Sequence, residues 1–176
     1  MNAPHPAATR PSVAQVWAWL GEVPDPEIPA VSVVDLGMIR DVRWDDSAGE
    51  TLVVAVTPTY SGCPATSVIV LSIEAALRDH GIALLRLERR LSPPWTTDWI
   101  TAAGRSKLEA YGIAPTAEQA GGFSPLDRVS RSPAVVRCPR CQSTETTRVS
   151  EFGSTPCKAQ YQCRTCHEPF DYFKCV

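Results

Sequence analysis

Four cysteines near the end of the chain form two Cys-x-x-Cys pairs, Cys138 with Cys141 and Cys163 with Cys166. A tight turn of this kind brings two thiolates to one metal ion, and zinc takes four such ligands in a tetrahedron at about 2.3 Å. Two pairs separated by about 20 residues are typical of a zinc ribbon. An iron–sulfur cluster is the alternative, since it also binds four cysteines.

Cys157, Cys175 and His167 lie in the same segment and are further potential ligands, although the two cysteines could equally be core thiols. A module of some 40 residues is smaller than a hydrophobic core usually stabilises alone. We therefore expect the metal to supply much of the folding free energy of this segment, on the order of 10 kcal/mol.

A cysteine of a different kind, Cys63, stands alone in the first half, between Gly62 and Pro64. Pro64 is suited to be the first residue of the helix that follows. The amides of a helix N-terminus favour an anion, so we expect a lowered thiol pKa and a nucleophile or soft-metal ligand at Cys63. The alternative is a small buried side chain at a turn.

Asp25 and Glu27 lie in a stiff loop, since Pro26 and Pro29 fix their own backbone geometry and keep the preceding residues out of helix. Both carboxylates are expected to project from this loop. In an extended backbone the two carboxylates would lie on the same side of the loop, whereas in polyproline geometry they would not. Both a joint role and two separate solvated charges therefore remain open.

The elements that must position these residues follow from periodicity, in the order α-β-β-α-β-α. Ser12 and Gln15 form a capping box for a first helix that ends near Gly21. Leu52, Val54 and Val56 would share one face of a hairpin strand. The remaining predicted elements are strands 38–44, 51–57 and 85–91, a helix from Pro64 to His80, and a last helix capped by Thr97 and carrying Ile100, Ala103, Leu108 and Tyr111.

This order predicts an α+β fold, with a small mixed sheet and helices over 12–113. Residues 114–134 are rich in Pro, Ala, Gly and Ser and are expected to be a linker. Residues 135–176 would form a small metal-stabilised module like a zinc ribbon.

Composition limits the class of protein. Seven cysteines are an odd number, and residues 1–11 lack the pattern of a secretory signal, so we expect reduced thiols and a cytoplasmic protein. No apolar stretch approaches the length of a membrane span. The net charge of −2 does not favour nucleic acid, and phosphate-loop and His-Glu-x-x-His motifs are missing. Independent catalytic turnover is not expected.

Three segments resemble the iron–sulfur maturation domain family, which includes SufT-like and cytosolic iron–sulfur assembly proteins. They are Asp25 to Pro29, Val34 to Ile39 and Thr57 to Pro64, and the resemblance spans roughly residues 12–113. It implies a reactive cysteine at Cys63 and an acidic loop at Asp25 and Glu27 that take part in iron or cluster transfer.

The later segments resemble the PaaD family of bacterial phenylacetyl-CoA epoxidase systems, in which this domain is fused to a cysteine-rich tail. They are Trp95 to Ile100, Gly104 to Leu108, Tyr111 to Pro115, Phe152 to Lys158 and Phe170 to Cys175. The resemblance implies an accessory subunit in aerobic phenylacetate breakdown. Its partners would be a di-iron oxygenase and an iron–sulfur flavoprotein reductase, and a homodimer is left open.

The working hypothesis is that Cys63 carries iron or a nascent cluster transiently, with Asp25 or Glu27 as a hard ligand or proton acceptor, while the ribbon docks the client. One alternative is a scaffold that joins oxygenase and reductase through aromatic surfaces at Trp95 and Trp99. Another is an electron carrier with iron in the tail.

Overall fold

The computed structural model describes residues 10–116 and 135–174, apart from the side chain of residue 48. The helices are α1 (Val13–Leu20), α2 (Thr66–Asp79) and α3 (Ala102–Ala110). The strands are β1 (Ile39–Asp45), β2 (Thr51–Val56), β3 (Leu85–Arg89), β4 (Ile113–Ala114), β5 (Thr146–Ser150), β6 (Lys158–Cys163) and β7 (Pro169–Phe173). None of the described helices is long and apolar enough to span a membrane.

The first sheet has three strands in the order β1-β2-β3. β1 and β2 form the predicted antiparallel hairpin, and α2 carries the chain over to β3, which runs parallel to β2. Central strand β2 is buried on both faces from Leu52 to Val56, rather than on the single face that alternation indicated. The mixed sheet confirms the predicted α+β class.

Helix α1 has the predicted capping box: the Gln15 amide donates to the Ser12 hydroxyl at 3.2 Å, and the Ser12 amide donates to the Gln15 side chain at 2.8 Å. Val16 and Leu20 are buried against the sheet, and the C-cap is Gly21 as expected. Capping motifs are local, and this explains why the sequence alone found both ends of this helix.

Two helix starts differ from the predictions. α2 begins at Thr66 with Ala65 as its N-cap, so Pro64 precedes the helix instead of opening it. Thr97 lies in a short 3-10 helix, and α3 is capped by Thr101, whose hydroxyl accepts the Gly104 amide at 2.9 Å. Thr101, and not Thr97, is therefore the N-cap of α3.

Three side chains assigned to buried faces are exposed. Ala103 on α3 and Tyr111 just after that helix are exposed, and Leu91 lies beyond the end of β3. The last residue pair between β2 and β3 is Val56 with Arg89. Leu91 therefore lies beyond the sheet, which does not cover its side chain.

The second sheet has the order β4-β7-β6-β5. Strands β5, β6 and β7 are antiparallel neighbours, while β4 pairs in parallel with β7 through Ile113 and Ala114. Ile113 and Ala114, which follow Gly112 at the end of α3, are thus part of the sheet of the ribbon. Of the predicted linker 114–134, residues 117–134 lie outside the described residues.

The ribbon and the first module share one hydrophobic core. Phe173 of β7 is 1% exposed, and its ring meets that of Trp95 edge to face, with centroids 5.9 Å apart. Ile113 and Cys157 belong to the same buried cluster. A separate, smaller cluster inside the ribbon contains Phe170 and two metal-centre cysteines. The tail is therefore packed onto the first module by buried apolar side chains.

Candidate functional site

The four knuckle cysteines converge on one point. The Sγ atoms of Cys138, Cys141, Cys163 and Cys166 all lie within 4.8 Å of one another. The closest pairs are Cys141–Cys163 at 3.5 Å and Cys138–Cys166 at 3.7 Å. Four thiolates at 2.3 Å around a tetrahedral zinc would be about 3.8 Å apart. The donor set and spacing therefore fit one metal ion, whereas a cluster would spread the thiolates over separate irons.

The backbone of each knuckle supports this arrangement. The Cys166 amide points at the Cys163 sulfur at 3.5 Å. This amide, followed by that of Thr165, lowers the pKa of Cys163 to about 6, whereas burial and hydrogen bonds with the neighbouring thiols raise the pKa of Cys141 and Cys166, so the sulfurs share their protons. In the other knuckle, the Gln142 amide closes the turn onto the Cys138 carbonyl at 2.9 Å. Turns that direct amides at sulfur favour thiolates, which are the metal-binding form.

Cys157 is not part of this centre. It directly precedes β6, while Cys163 ends that strand, so the two lie about 20 Å apart at 3.3 Å per residue. This position corrects the assignment of Cys157 as an additional ligand in the tail. Cys175 lies outside the described residues, and His167 is exposed and does not belong to the four-cysteine group.

Cys63 lies half-buried in the loop between β2 and α2. Its carbonyl accepts the Thr66 hydroxyl at 2.8 Å, which ties the loop to the first turn of α2. Burial raises the pKa of the Cys63 thiol, and this outweighs the Ala65 amide and the Thr66 hydroxyl, which act to lower it. The charges of Glu27 and Asp25 raise the Cys63 pKa further. The predicted lowering was wrong because desolvation exceeds the effect of the helix amides.

Asp25 and Glu27 face the same region but differ in environment. One Asp25 oxygen accepts the amides of Glu27 and Ile28, both at 2.9 Å, and the residue is 7% exposed. Burial nevertheless raises the pKa of Asp25. Burial, and then the charge of Asp25, raise the pKa of the half-buried Glu27. Asp25 thus holds the loop in shape, while the Glu27 carboxylate remains available.

Three residues that sequence reasoning did not place complete this region, namely Cys157, Lys158 and Tyr60. The Cys157 thiol faces the Glu27 carboxylate at 4.0 Å. Lys158 is 6% exposed and its charge acts on both Asp25 and Glu27. Burial raises the pKa of Tyr60, as do the charges of both thiols and Glu27.

This region opens to solvent on the side of the ribbon. A cleft of about 430 Å³ is lined by Glu27 and Lys158 together with residues of β7 and of the turn after α3. Glu27 therefore borders both the Cys157 thiol and an open cleft.

Alkylation of Cys63 should report its raised pKa. In protein whose four-cysteine centre is loaded with zinc, we expect Cys63 to react slowly with iodoacetamide at pH 7. The reaction should accelerate as the pH rises past the ordinary pKa range of thiols. Removing the Glu27 charge with Glu27→Gln should increase the rate at pH 7 by a few-fold. Peptide mass spectrometry would follow Cys63 itself, with Glu22→Gln as the control that removes a charge elsewhere. Equal rates in wild type and Glu27→Gln would contradict this electrostatic account.

The tryptophans proposed as a docking surface have other contacts. Trp95 is 4% exposed and its indole N–H donates to the Leu36 carbonyl at 2.8 Å. Trp99 is half-buried, with the Arg40 guanidinium 3.5 Å above its ring. The scaffold alternative is corrected on this point, because Trp95 belongs to the core.

Two family models match the chain. A model described as iron–sulfur cluster assembly protein matches residues 13–81, and one described as PaaD zinc beta ribbon domain matches residues 124–174. The crystal structure of a domain of unknown function, DUF59, from Bacillus anthracis shares the fold with a TM-score of 0.50. It has 26% identity and covers 55% of this chain and 90% of that chain.

Two curated proteins are similar in sequence. The chain is 36% identical over 80 residues to the Fe-S protein maturation auxiliary factor YitW of Bacillus subtilis strain 168, which covers 45% of this chain and 76% of that protein. It is 48% identical over 166 residues to a protein of Escherichia coli strain K12 that is named as a subunit of 1,2-phenylacetyl-CoA epoxidase; the match covers 94% of both chains. With both parts matched in order, the chain belongs to the PaaD family of phenylacetyl-CoA epoxidase subunits.

Proposed function

We propose that this protein is an accessory subunit of a phenylacetyl-CoA epoxidase system and carries iron, or a nascent iron–sulfur cluster, to a client protein on Cys63. One observation carries the proposal: a half-buried thiol lies in a loop whose neighbours Glu27 and Asp25 are desolvated carboxylates. Soft and hard ligands then meet at an accessible point. A closed set of four thiols is suited to keeping an ion, and an open set to passing one on.

The raised pKa of Cys63 allows the thiol to exchange its proton for a metal ion. At neutral pH the unloaded thiol stays protonated, because burial and the two carboxylates disfavour the thiolate. An arriving cation inverts this preference, and the thiol gives up its proton as it binds. The thiol proton passes to solvent water, and Glu27 supplies a hard oxygen ligand to the ion. Return of the proton when the client takes the ion restores the resting thiol.

The four-cysteine centre has the separate task of stabilising the ribbon, with zinc as its resident ion. Its sulfur spacing fits zinc, and the matched family model is described as a zinc ribbon. The ribbon also provides a surface on which a client can dock beside the cleft. The clients that we propose are the oxygenase and reductase components, in keeping with the name of the Escherichia coli relative. The described cysteines are all free thiols, which suits action in the reducing cytoplasm.

The test is the metal content of the epoxidase assembled in cells. Cys63→Ser should leave the oxygenase and reductase depleted of iron, while the accessory protein keeps its zinc and its unfolding midpoint. Ser61→Ala, at an exposed position in the same loop, is the matched control and should support full loading. Fully loaded epoxidase from Cys63→Ser cells would refute the proposal.

A further inference from the structure

We propose that Cys157 is the second thiol ligand of the transfer site, so that the cargo ion is held between the two modules by Cys63, Cys157 and Glu27. This inference rests on the proposed function and deepens it: the site on the first module is incomplete until the ribbon supplies its thiol. The cargo would be a divalent ion of borderline softness such as Fe²⁺, for which two thiolates and one carboxylate are a suitable donor set.

The separation between Cys157 and Glu27 is close to what a shared ion needs. A tetrahedral ion with sulfur at 2.3 Å and carboxylate oxygen at 2.1 Å holds these two atoms about 3.6 Å apart. The Cys157 sulfur lies 4.0 Å from Glu27 Oε2. A small change in a side-chain torsion would close the difference. Glu27 is half-buried and is free to make that adjustment, whereas Cys157 is fixed in the core.

Cys63 belongs to the same group. It packs against the buried cluster that contains Cys157. The charge of Glu27 raises the pKa of both thiols, and the charge of Cys63 raises that of Cys157. The donor atoms of Cys63, Cys157 and Glu27 do not all lie within 4.8 Å of one another, whereas the four sulfurs of the four-cysteine centre do. The group is thus an open arrangement that a cation would draw together.

Burial disfavours the charged forms of the acidic groups around this point. Five acidic groups that face this point have a raised pKa, and in each the principal cause is burial. The groups are Asp25, Glu27, Tyr60, Cys63 and Cys157. Lys158 is the cation that acts on Asp25, Glu27 and Cys157, and it also pairs with Asp171 at 3.5 Å. A divalent ion would reverse the penalty on ionising the thiols and carboxylates together.

The fold holds Cys157 in place from both sides. Its carbonyl accepts the Lys174 amide at 2.9 Å, and the Thr155 hydroxyl lies 3.0 Å from its sulfur. Cys157 also directly precedes β6, the strand that ends in the metal ligand Cys163. The two metal sites are therefore distinct and lie at opposite ends of one strand.

The experiment uses full-length protein with zinc in the ribbon, titrated with Co²⁺ without oxygen. Cobalt gives a thiolate-to-metal absorption band whose intensity increases with the number of thiolate ligands. Wild type should bind one added Co²⁺ with two thiolates. Cys63→Ser and Cys157→Ser should each reduce the band by about half, and the double variant should abolish it. Zinc content and the unfolding midpoint are measured for every variant.

The outcomes separate the inference from the proposed function. A full band in Cys157→Ser together with a lost band in Cys63→Ser would overturn the role of Cys157 and leave Cys63 as the carrier. A full band in both would refute both statements. If Cys157→Ser does not fold, X-ray absorption of the wild-type cobalt form decides: two sulfur neighbours support the inference, and one overturns it.

Discussion

Removing the metal from the four-cysteine centre is expected to unfold the ribbon and to destabilise the rest of the chain. Metal binding to such a module contributes on the order of 10 kcal/mol of folding free energy. The ribbon core beyond the thiols is small, with Phe170 and Val136 as its larger buried side chains. Cys138→Ser, at a fully buried ligand, should have the same effect as a strong chelator.

Amide NMR spectra and circular dichroism, recorded with and without chelator, would measure this change. Signals from β5, β6 and β7 should lose their dispersion. Signals from β1, β2 and β3 should remain but with a lower unfolding midpoint, because Phe173 and Cys157 leave their core. Cys63→Ser is the control and should retain one zinc per chain. A metal-free protein with unchanged β5–β7 signals would show that the ion does not stabilise the ribbon.

The second large effect is expected from Phe173→Ala, which removes the principal side chain joining the two modules. Phe173 is 1% exposed and meets Trp95 edge to face. Truncating a buried phenylalanine costs about 3–5 kcal/mol through lost transfer free energy and the cavity that remains. We therefore expect a clear fall in the free energy of unfolding, with zinc still bound, since the ribbon has its own cluster around Phe170.

Urea unfolding of the zinc-loaded protein would quantify the loss. Phe152→Ala is the matched control, because this ring is 57% exposed and has the Lys174 ammonium 4.2 Å above it. Its cost should stay within about 1 kcal/mol. If Phe173→Ala unfolded at the same urea concentration as wild type, the two modules would not share a core. The same variant should also weaken cobalt binding at Cys63, because Cys157 would lose its fixed position.

Several features followed from the sequence because their causes are local. The capping box of α1 and the β1–β2 hairpin depend on residues within a few positions of one another. The same holds for the four cysteines of the metal centre, since each knuckle is a single turn that presents two thiols. The loop geometry of Asp25 was predictable in part, because the flanking prolines restrict it.

Other features were decided only by tertiary structure. The sign of the pKa shift at Cys63 depends on how much of the thiol is desolvated and on carboxylates from a different loop, neither of which the Gly-Cys-Pro motif reveals. The start of α2 has no side-chain cap to mark it in the sequence, whereas the start of α3 is marked by the local Thr101 cap.

The sequence by itself determined that the chain has a small α+β domain, a four-cysteine ribbon and a lone loop cysteine, because these depend on short-range spacing. It left Cys157 without a role. Only the tertiary structure placed that thiol beside Glu27, since its position follows from the packing of Phe173 on Trp95 and from strand pairing between distant segments. Long-range burial has no local signature, and a site shared by two modules is therefore visible only once they are packed together.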